Sequence, residues 1–290
     1  MTLPSASPSQ PASAAVAELL PDWDAPSHVK AFVTGRRGGV SRGAWGMAGG
    51  AAGGLNLGTR CGDDPRAVAE NRARLAACLP SSPRWLRQVH GATVHDADLS
   101  DERAAGSAAG TGANGATGAP VEPIEPEADA AVTSRTGVVL AVLTADCLPV
   151  MLTDSLGRAV GIAHAGWRGM ALGVIERSVE TLRARAGGDA EVFAWLGPAI
   201  GPRAFEVGDD VLRAFCDDDP ACAAAFAPGP REGKWFADLY RLARIRLGRV
   251  GVSRVRGGEH CTVGEPERFF SHRRDRASGR MASLIWLEPR

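Results

Sequence analysis

The sequence predicts an α/β protein, a single layered α/β sandwich built on a mixed β-sheet. Three observations carry this expectation. Short apolar, β-prone runs recur through the second half of the chain. Amphipathic helical segments lie between them, and the two kinds do not alternate strictly as a parallel βαβ array would. Hydrophobic residues make up 44% of 290, enough to fill a sizeable core.

Taken in order, residues 1–25 are rich in Pro, Ser and Ala and lack a basic stretch followed by an apolar block. They read as a disordered tail rather than a signal peptide, leaving residues 26–290 for the folded domain. Two stretches, GAWGMAGGAAGG at 43–54 and AAGSAAGTGANGATGAP at 104–120, are dominated by Gly and Ala. Such residues bury too little surface to offset the entropy of ordering, so both read as mobile insertions within the domain. Asp63-Asp64-Pro65 opens a helix, with an Asp N-cap and Pro near N1. It runs to about Leu79 with Val68, Leu75 and Leu79 on one face. Residues 85–89 read as a short strand leading into His90-Gly91.

The centre of the chain is clearest. VVLAVLT at 138–144 is a strand covered on both faces. Residues 150–153 and 159–164 give two more, joined by the turn Asp154-Ser155-Leu156-Gly157. A helix after 165–169 carries Leu172, Ile175, Val179 and Leu182 and ends near Gly187-Gly188. Residues 192–196 form a strand, and Asp238 opens a helix bearing Leu239, Leu242, Ala243 and Leu247. Residues 252–255 and 282–287 complete the sheet.

Composition excludes some functions. Lys+Arg and Asp+Glu are both 33, so no net field draws in nucleic acid or an anionic membrane. No apolar run approaches the ~18 residues of a membrane-spanning helix. The six cysteines form no compact framework, which points to reduced thiols and a cytoplasmic setting.

Three strings place a metal-capable side chain beside a turn or glycine: RQVHG ending at Gly91, TADCLP around Cys147, and HAGWRG from His164. The gap between Cys147 and His164 fits a strand, a turn and an adjacent strand that would bring the two side chains level. His90 arrives from farther away. Taken singly, each has a plainer reading: a strand-end histidine is more often a hydrogen-bonded structural residue, and a buried cysteine a small hydrophobe. Spacing alone leaves this open.

The strings QVHG, TADCLPV, HAGWRG, AWLGPAIGP-x-x-FEVG, GG-x-x-CT, RFFS-x-RRD and GRMAS-x-IWL occur in this order, with RxGG at 36–39 and LNLG at 55–58. Together they resemble the YfiH/laccase-domain family over nearly the whole chain after Ala31. Members of that family are described both as polyphenol oxidases and as purine nucleoside phosphorylases. The resemblance implies a metal triad of His90, Cys147 and His164 holding zinc, with copper as the older family name would have it. Two imidazoles and a thiolate leave zinc one open position, the arrangement of a catalytic rather than a structural site. The implied activity is phosphorolysis of adenosine, inosine and S-methyl-5′-thioadenosine, with adenosine deamination as a second reaction. Purine nucleosides and phosphate are then the partners, and the protein a monomer or weak homo-oligomer.

Further roles follow from the same strings. Arg36 in RxGG and Arg168 in HAGWRG are phosphate candidates because guanidinium donates in a bidentate fork; Arg273 and Arg274 are weaker ones. Asp146 would orient water or carry a proton beside the catalytic Cys147, or else cap its own turn. Gln88 lies on the same strand face as His90 and would bond substrate. Asn56 would hold a ribose hydroxyl or shape a turn. His272 stands where relatives usually carry tyrosine, so base stacking would be weaker and substrate preference altered. Three rivals remain: a Cys–His amidase acting on peptidoglycan precursors, with Cys147 as nucleophile and His164 as base, a multicopper oxidase, and a non-enzymatic partner-binding protein that would turn over no nucleoside. Six histidines in all cannot furnish several imidazole-rich copper centres.

Overall fold

Alternation along the central strands sets the layers. The computed structural model describes residues 16–99 and 125–290. Its strands are β1 Ala17–Leu19, β2 Val29–Thr34, β3 Arg37–Ser41, β4 Val94–Asp96, β5 Ala130–Thr133, β6 Leu140–Thr144 and β7 Leu148–Asp154. There follow β8 Val160–Ala165, β9 Val192–Leu196, β10 Glu206–Gly208, β11 Phe226–Pro228, β12 Lys234–Ala237, β13 Arg254–Gly257 and β14 Met281–Leu287. The helices are α1 Pro65–Ala76, α2 Trp167–Ala171, α3 Val174–Ala186, α4 Asp209–Cys216, α5 Leu239–Arg249 and α6 His272–Asp275.

A six-stranded sheet has the order β13-β9-β7-β8-β5-β4, a four-stranded sheet β1-β2-β14-β6, and a small third sheet β10-β12-β11. The largest sheet is mixed: β13 with β9 and β4 with β5 run parallel, the other pairs antiparallel. Along β8, Ala163 and Ala165 pack with Val174, Val179 and Leu182 of α3, whereas Val160 and Ile162 pack with Val142 and Ile285 of the smaller sheet. Side chains of period two thus give each sheet two buried faces. Beyond the four-stranded sheet, Phe32, Leu284 and Trp286 pack with Leu75 of α1. The order of layers is helix, sheet, sheet, helices, which is the layered α/β architecture the sequence predicts.

Local chemistry explains the helix ends. The Asp64 carboxylate accepts from Arg66 N–H with Pro65 at N1, and the Asp238 carboxylate accepts from Arg241 N–H. Leu239, Leu242, Ala243 and Leu247 are all buried, as their spacing predicts. The predicted single helix after residue 169 is instead two, because Gly173 takes a left-handed φ of 87° and starts α3 afresh. That break turns Leu172 outward, 60% exposed, and removes it from the predicted face.

Three other expectations are corrected. Within the predicted tail, Val16 is buried and β1 pairs antiparallel with β2; residues 1–15 lie outside the described residues. The glycine-rich stretch 43–54 is tied to β3 by Gly39 N–H to Gly53 O and Gly53 N–H to Ser41 O, and Met47 N–H to Ala51 O closes a turn within it. A Cβ at Gly54 would sit 2.0 Å from Trp45 O, so glycine is there for close approach. Residues 85–89 make only isolated bridges, Arg84 with Leu140 and Arg87 with Glu127, and no strand. The second glycine-rich stretch, 104–120, lies outside the described residues. No described helix is long and apolar enough to cross a membrane, and no disulfide joins the described cysteines.

Candidate metal centre

The β7–β8 hairpin is the base of the site. Its turn is held by Asp154, whose carboxylate accepts from the N–H groups of Leu156 (3.2 Å), Arg158 (2.5 Å) and Ala159 (3.0 Å) and from Arg158 Nε (2.9 Å). This sets the register Leu148 with Ala165 and Pro149 with His164. Cys147, one residue before β7, therefore falls opposite Gly166, two residues beyond His164. The side chains are diagonal neighbours rather than level, and their donor atoms still lie within 4.8 Å.

His90 is delivered differently. The N–H groups of Val89, His90 and Gly91 all donate to the Asp129 carboxylate, at 3.2, 2.9 and 2.7 Å. This wrap bends the chain so that His90 takes a left-handed φ of 61°, a conformation costing about 1–3 kcal/mol that the three bonds offset. Asp129 also accepts from His164 Nδ1 at 2.8 Å, which turns Nε2 towards the cluster. One fully buried carboxylate thus orients both histidines of the cluster.

The donor atoms of His90, Cys147 and His164 lie within 4.8 Å of one another, the one such three-residue group among the described residues. Cys147 Sγ is 3.8 Å from His90 Nε2, and the two imidazoles meet edge to face at 4.8 Å. A Cβ on Gly166 would fall 3.0 Å from Cys147 Sγ and 3.1 Å from His90 Cδ2, so any larger residue would press these two side chains outward by a few tenths of an ångström. Burial resists ionisation of Cys147, but the His164 charge and hydrogen bonds from both histidines outweigh it and bring the thiol down to about 6. Burial likewise opposes charge on His164, yet the Cys147 thiolate and the Asp129 bond lift it to about 9. Asp129 is held below the usual carboxylate range despite its burial, through the bonds from His164, Gly91 and Val89. A thiolate and two imidazoles, one fixed from behind by a carboxylate, suit a divalent metal with one position left for substrate or water.

The cluster opens onto a cavity of about 460 Å³. Leu86 and Leu143 supply apolar wall, and among the described residues the lining also carries Arg60, Arg72, Arg168 and Arg280 with one acid, Glu125. Of the predicted substrate residues, Gln88, Arg168 and His272 line this cavity. The Gln88 amide is engaged with the Leu143 backbone, donating to its O and accepting from its N–H at 2.8 Å each. The Arg168 guanidinium lies 4.4 Å over the Trp167 ring.

Arg36, Asn56 and Asp146 do not line the cavity. Arg36 is 4% exposed and donates to Gly46 O at 2.7 Å and Pro266 O at 3.3 Å, beside Asp275 at 3.6 Å. Its guanidinium ties the glycine-rich stretch to the C-terminal region. Asn56 is fully buried, donating to Asp63 Oδ2 and accepting from the N–H groups of Gly58 and Arg280. Asp146 accepts from Thr262 Oγ1 at 2.5 Å and Arg273 N–H at 2.6 Å, so both its oxygens clamp neighbouring segments. The strings that contain these residues hold the loops around Cys147. Sequence reasoning missed Asp129, Arg60, Arg72, Arg280 and Glu125. An acid heading the apolar run AAVT was the available signal for Asp129.

Residues 30–288 match a family model described as multi-copper polyphenol oxidoreductase laccase. A Pseudomonas aeruginosa protein named purine nucleoside phosphorylase is 46% identical over 270 residues, 93% of this chain and 98% of its own length. The Escherichia coli purine nucleoside phosphorylase YfiH is 45% identical over 271 residues, with the same coverage of 93% and 98%. Among solved structures, a Neisseria meningitidis protein superposes with a TM-score of 0.75 at 44% identity, covering 93% of this chain and 99% of that one. A Bacillus licheniformis protein, YfiH, does so with a TM-score of 0.76 at 30% identity, covering 90% and 93%.

Proposed function

The chain belongs to the multi-copper polyphenol oxidoreductase laccase family that includes YfiH, and from that membership we propose that it is a zinc-dependent purine nucleoside phosphorylase. Its substrates are adenosine, inosine and S-methyl-5′-thioadenosine, and adenosine deamination is its second activity. The observation that carries this reading is the His90–Cys147–His164 cluster opening onto an arginine-lined cavity. The name borne by the Pseudomonas and Escherichia relatives supports the phosphorylase assignment.

In phosphorolysis the bond from the ribose anomeric carbon to the purine nitrogen breaks, and a phosphate oxygen forms the new bond to that carbon. The base leaves with that bond's electron pair and takes up the proton that the hydrogen phosphate loses as it becomes the sugar phosphate. The wall arginines bind the anion and Leu86 and Leu143 limit water, which disfavours hydrolysis of the same bond. His272 presents an imidazole to the base, and Asp129 keeps His90 and His164 in place throughout. A zinc ion on the three donors supplies Lewis acidity towards an oxygen of substrate or water.

The laccase reading requires several copper centres. Of the remaining histidines, His28 bonds Gly157 O and His260 pairs with Glu265, so neither adds to a second cluster. Chromatography of adenosine incubations, with and without phosphate, tests the proposal. Adenine that appears only with phosphate is the expected result; inosine without phosphate reports the deamination branch. If neither forms, the nucleoside reading fails and the Cys147–His164 amidase takes its place.

A further inference from the structure

The four wall arginines are not equivalent. Glu125 sends one carboxylate oxygen to Arg60 Nη2 at 2.9 Å and the other to Arg72 Nη1 at 3.4 Å, the two ion pairs recorded for it. Arg60 lies in the loop after LNLG and Arg72 on α1, so two separate elements converge on one anion. Arg72 is secured independently of that anion: its Nε donates to Leu57 O at 3.0 Å, and its guanidinium lies 4.4 Å over Trp85. The Arg60 side chain is 58% exposed, and ion pairs of that exposure are weak. A fixed guanidinium, a solvent-exposed one and a carboxylate held between them, its side chain 20% exposed, make an oxyanion site with an anion already seated in it.

We propose that Glu125 is a built-in counter-anion occupying the phosphate subsite, and that substrate phosphate displaces its carboxylate to bind between Arg60 and Arg72. This deepens the phosphorylase reading and rests on it for its kinetic consequence. Phosphate carries more charge than a carboxylate and offers three oxygens, enough to engage both guanidinium forks while a fourth oxygen attacks the sugar. Glu125 is the one acid in the described cavity wall, and it lowers the affinity for phosphate by competing for the same donors. It also keeps the arginines paired when no phosphate is bound.

The test uses the full-length, zinc-loaded protein and two variants, Glu125→Gln and Arg60→Gln. Removing the competing charge should lower KM for phosphate about three- to tenfold, as expected when a masked site becomes fully available. KM for adenosine should stay within about twofold, because the sugar and base do not compete with Glu125. Arg60→Gln, at a position whose side chain is 58% exposed, should raise KM for phosphate. A second readout needs no turnover: inorganic phosphate alone should raise the melting temperature of Glu125→Gln at lower concentration than it does the wild type. An unchanged or raised phosphate KM in Glu125→Gln overturns the proposal. So does a raised adenosine KM with phosphate KM unmoved, which would assign the carboxylate to the ribose hydroxyls. If the phosphate-dependent melting shifts appear but no adenine is ever formed, the subsite stands and the phosphorylase reading falls. If adenine forms and Glu125→Gln behaves as wild type, the reverse holds.

Discussion

Replacing Asp129 by asparagine should loosen the metal centre without touching any ligand. The wild-type carboxylate accepts four bonds, from the N–H groups of Val89, His90 and Gly91 and from His164 Nδ1, at 2.7–3.2 Å. Asparagine keeps one acceptor oxygen and turns an NH₂ group towards the remaining donors, so about half the set is lost and donors face donors. At about 1–3 kcal/mol for each buried group left unsatisfied, the variant should lose about 2–5 kcal/mol of stability. The strained φ of 61° at His90 then has less to hold it, and His164 is no longer fixed from behind. Zinc affinity should fall about 10- to 100-fold, the usual effect of removing a carboxylate behind a ligating histidine. Competition titration of zinc against a chelator measures the affinity, and urea unfolding of the metal-free protein measures the stability. The pH dependence gives a sign to check. Asp129 is held below its usual range, so its contribution is complete above about pH 4 and is lost as pH falls through the lowered value. Wild type and variant should therefore differ most near neutrality and converge in acid. An Asn variant that binds zinc within twofold of wild type and unfolds at the same urea concentration would refute the reasoning.

Four shorter expectations follow from the same geometry. Asp154→Ala removes a fully buried acceptor of three backbone N–H groups and should cost about 2–4 kcal/mol in denaturant unfolding; a cost under about 1 kcal/mol would mean the hairpin turn holds itself. Gly169→Ala places a Cβ 2.6 Å from Gly91 O, beside His90, so stability should fall by about 1–3 kcal/mol with a parallel loss of zinc affinity; unfolding and zinc titration at wild-type values would contradict it. Arg36→Met should lower the melting temperature by breaking the links to Gly46 and Pro266 while leaving phosphate KM unchanged, whereas a selective rise in phosphate KM would return Arg36 to the site. His272→Tyr should alter the relative rates on adenosine, inosine and S-methyl-5′-thioadenosine; identical ratios would show that this wall position does not meet the base.

How much of this was legible depends on whether the signal was local. The Asp-Pro start of α1 and the Asp238 cap of α5 are short-range chemistry, and both helices begin where the sequence predicts. The β7–β8 hairpin was legible because its turn residue and flanking apolar runs are contiguous, and with it came the nearness of Cys147 to His164, though the register sets them diagonally and not side by side. Leu172 was misread because helical spacing continues through Gly173, and periodicity does not register one left-handed residue. Residues 85–89 resemble a strand in composition, yet their pairing is limited to single bridges.

The site divides in the same way. His90 joins the cluster only because Asp129, distant in sequence, gathers three consecutive N–H groups, and no spacing rule anticipates that. Arg36, Asn56 and Asp146 belong to family strings, but their side chains are engaged with backbone and side-chain partners that hold the surrounding loops together. A string can persist for folding as well as for chemistry, and sequence alone does not separate the two. Arg60, Arg72 and Glu125 carried no motif at all; only the fold brings the loop after LNLG, α1 and residue 125 to one cavity.

The central claim is that a single zinc held by His90, Cys147 and His164 supports phosphate-dependent cleavage of purine nucleosides. Its most direct test strips the purified protein with a chelator, restores one equivalent of zinc or of copper per chain, and follows adenine release from adenosine in phosphate. The account predicts that activity is lost on stripping, returns with zinc and not with copper, and never returns in Cys147→Ala. Full activity in the stripped protein, or recovery with copper alone, would contradict it.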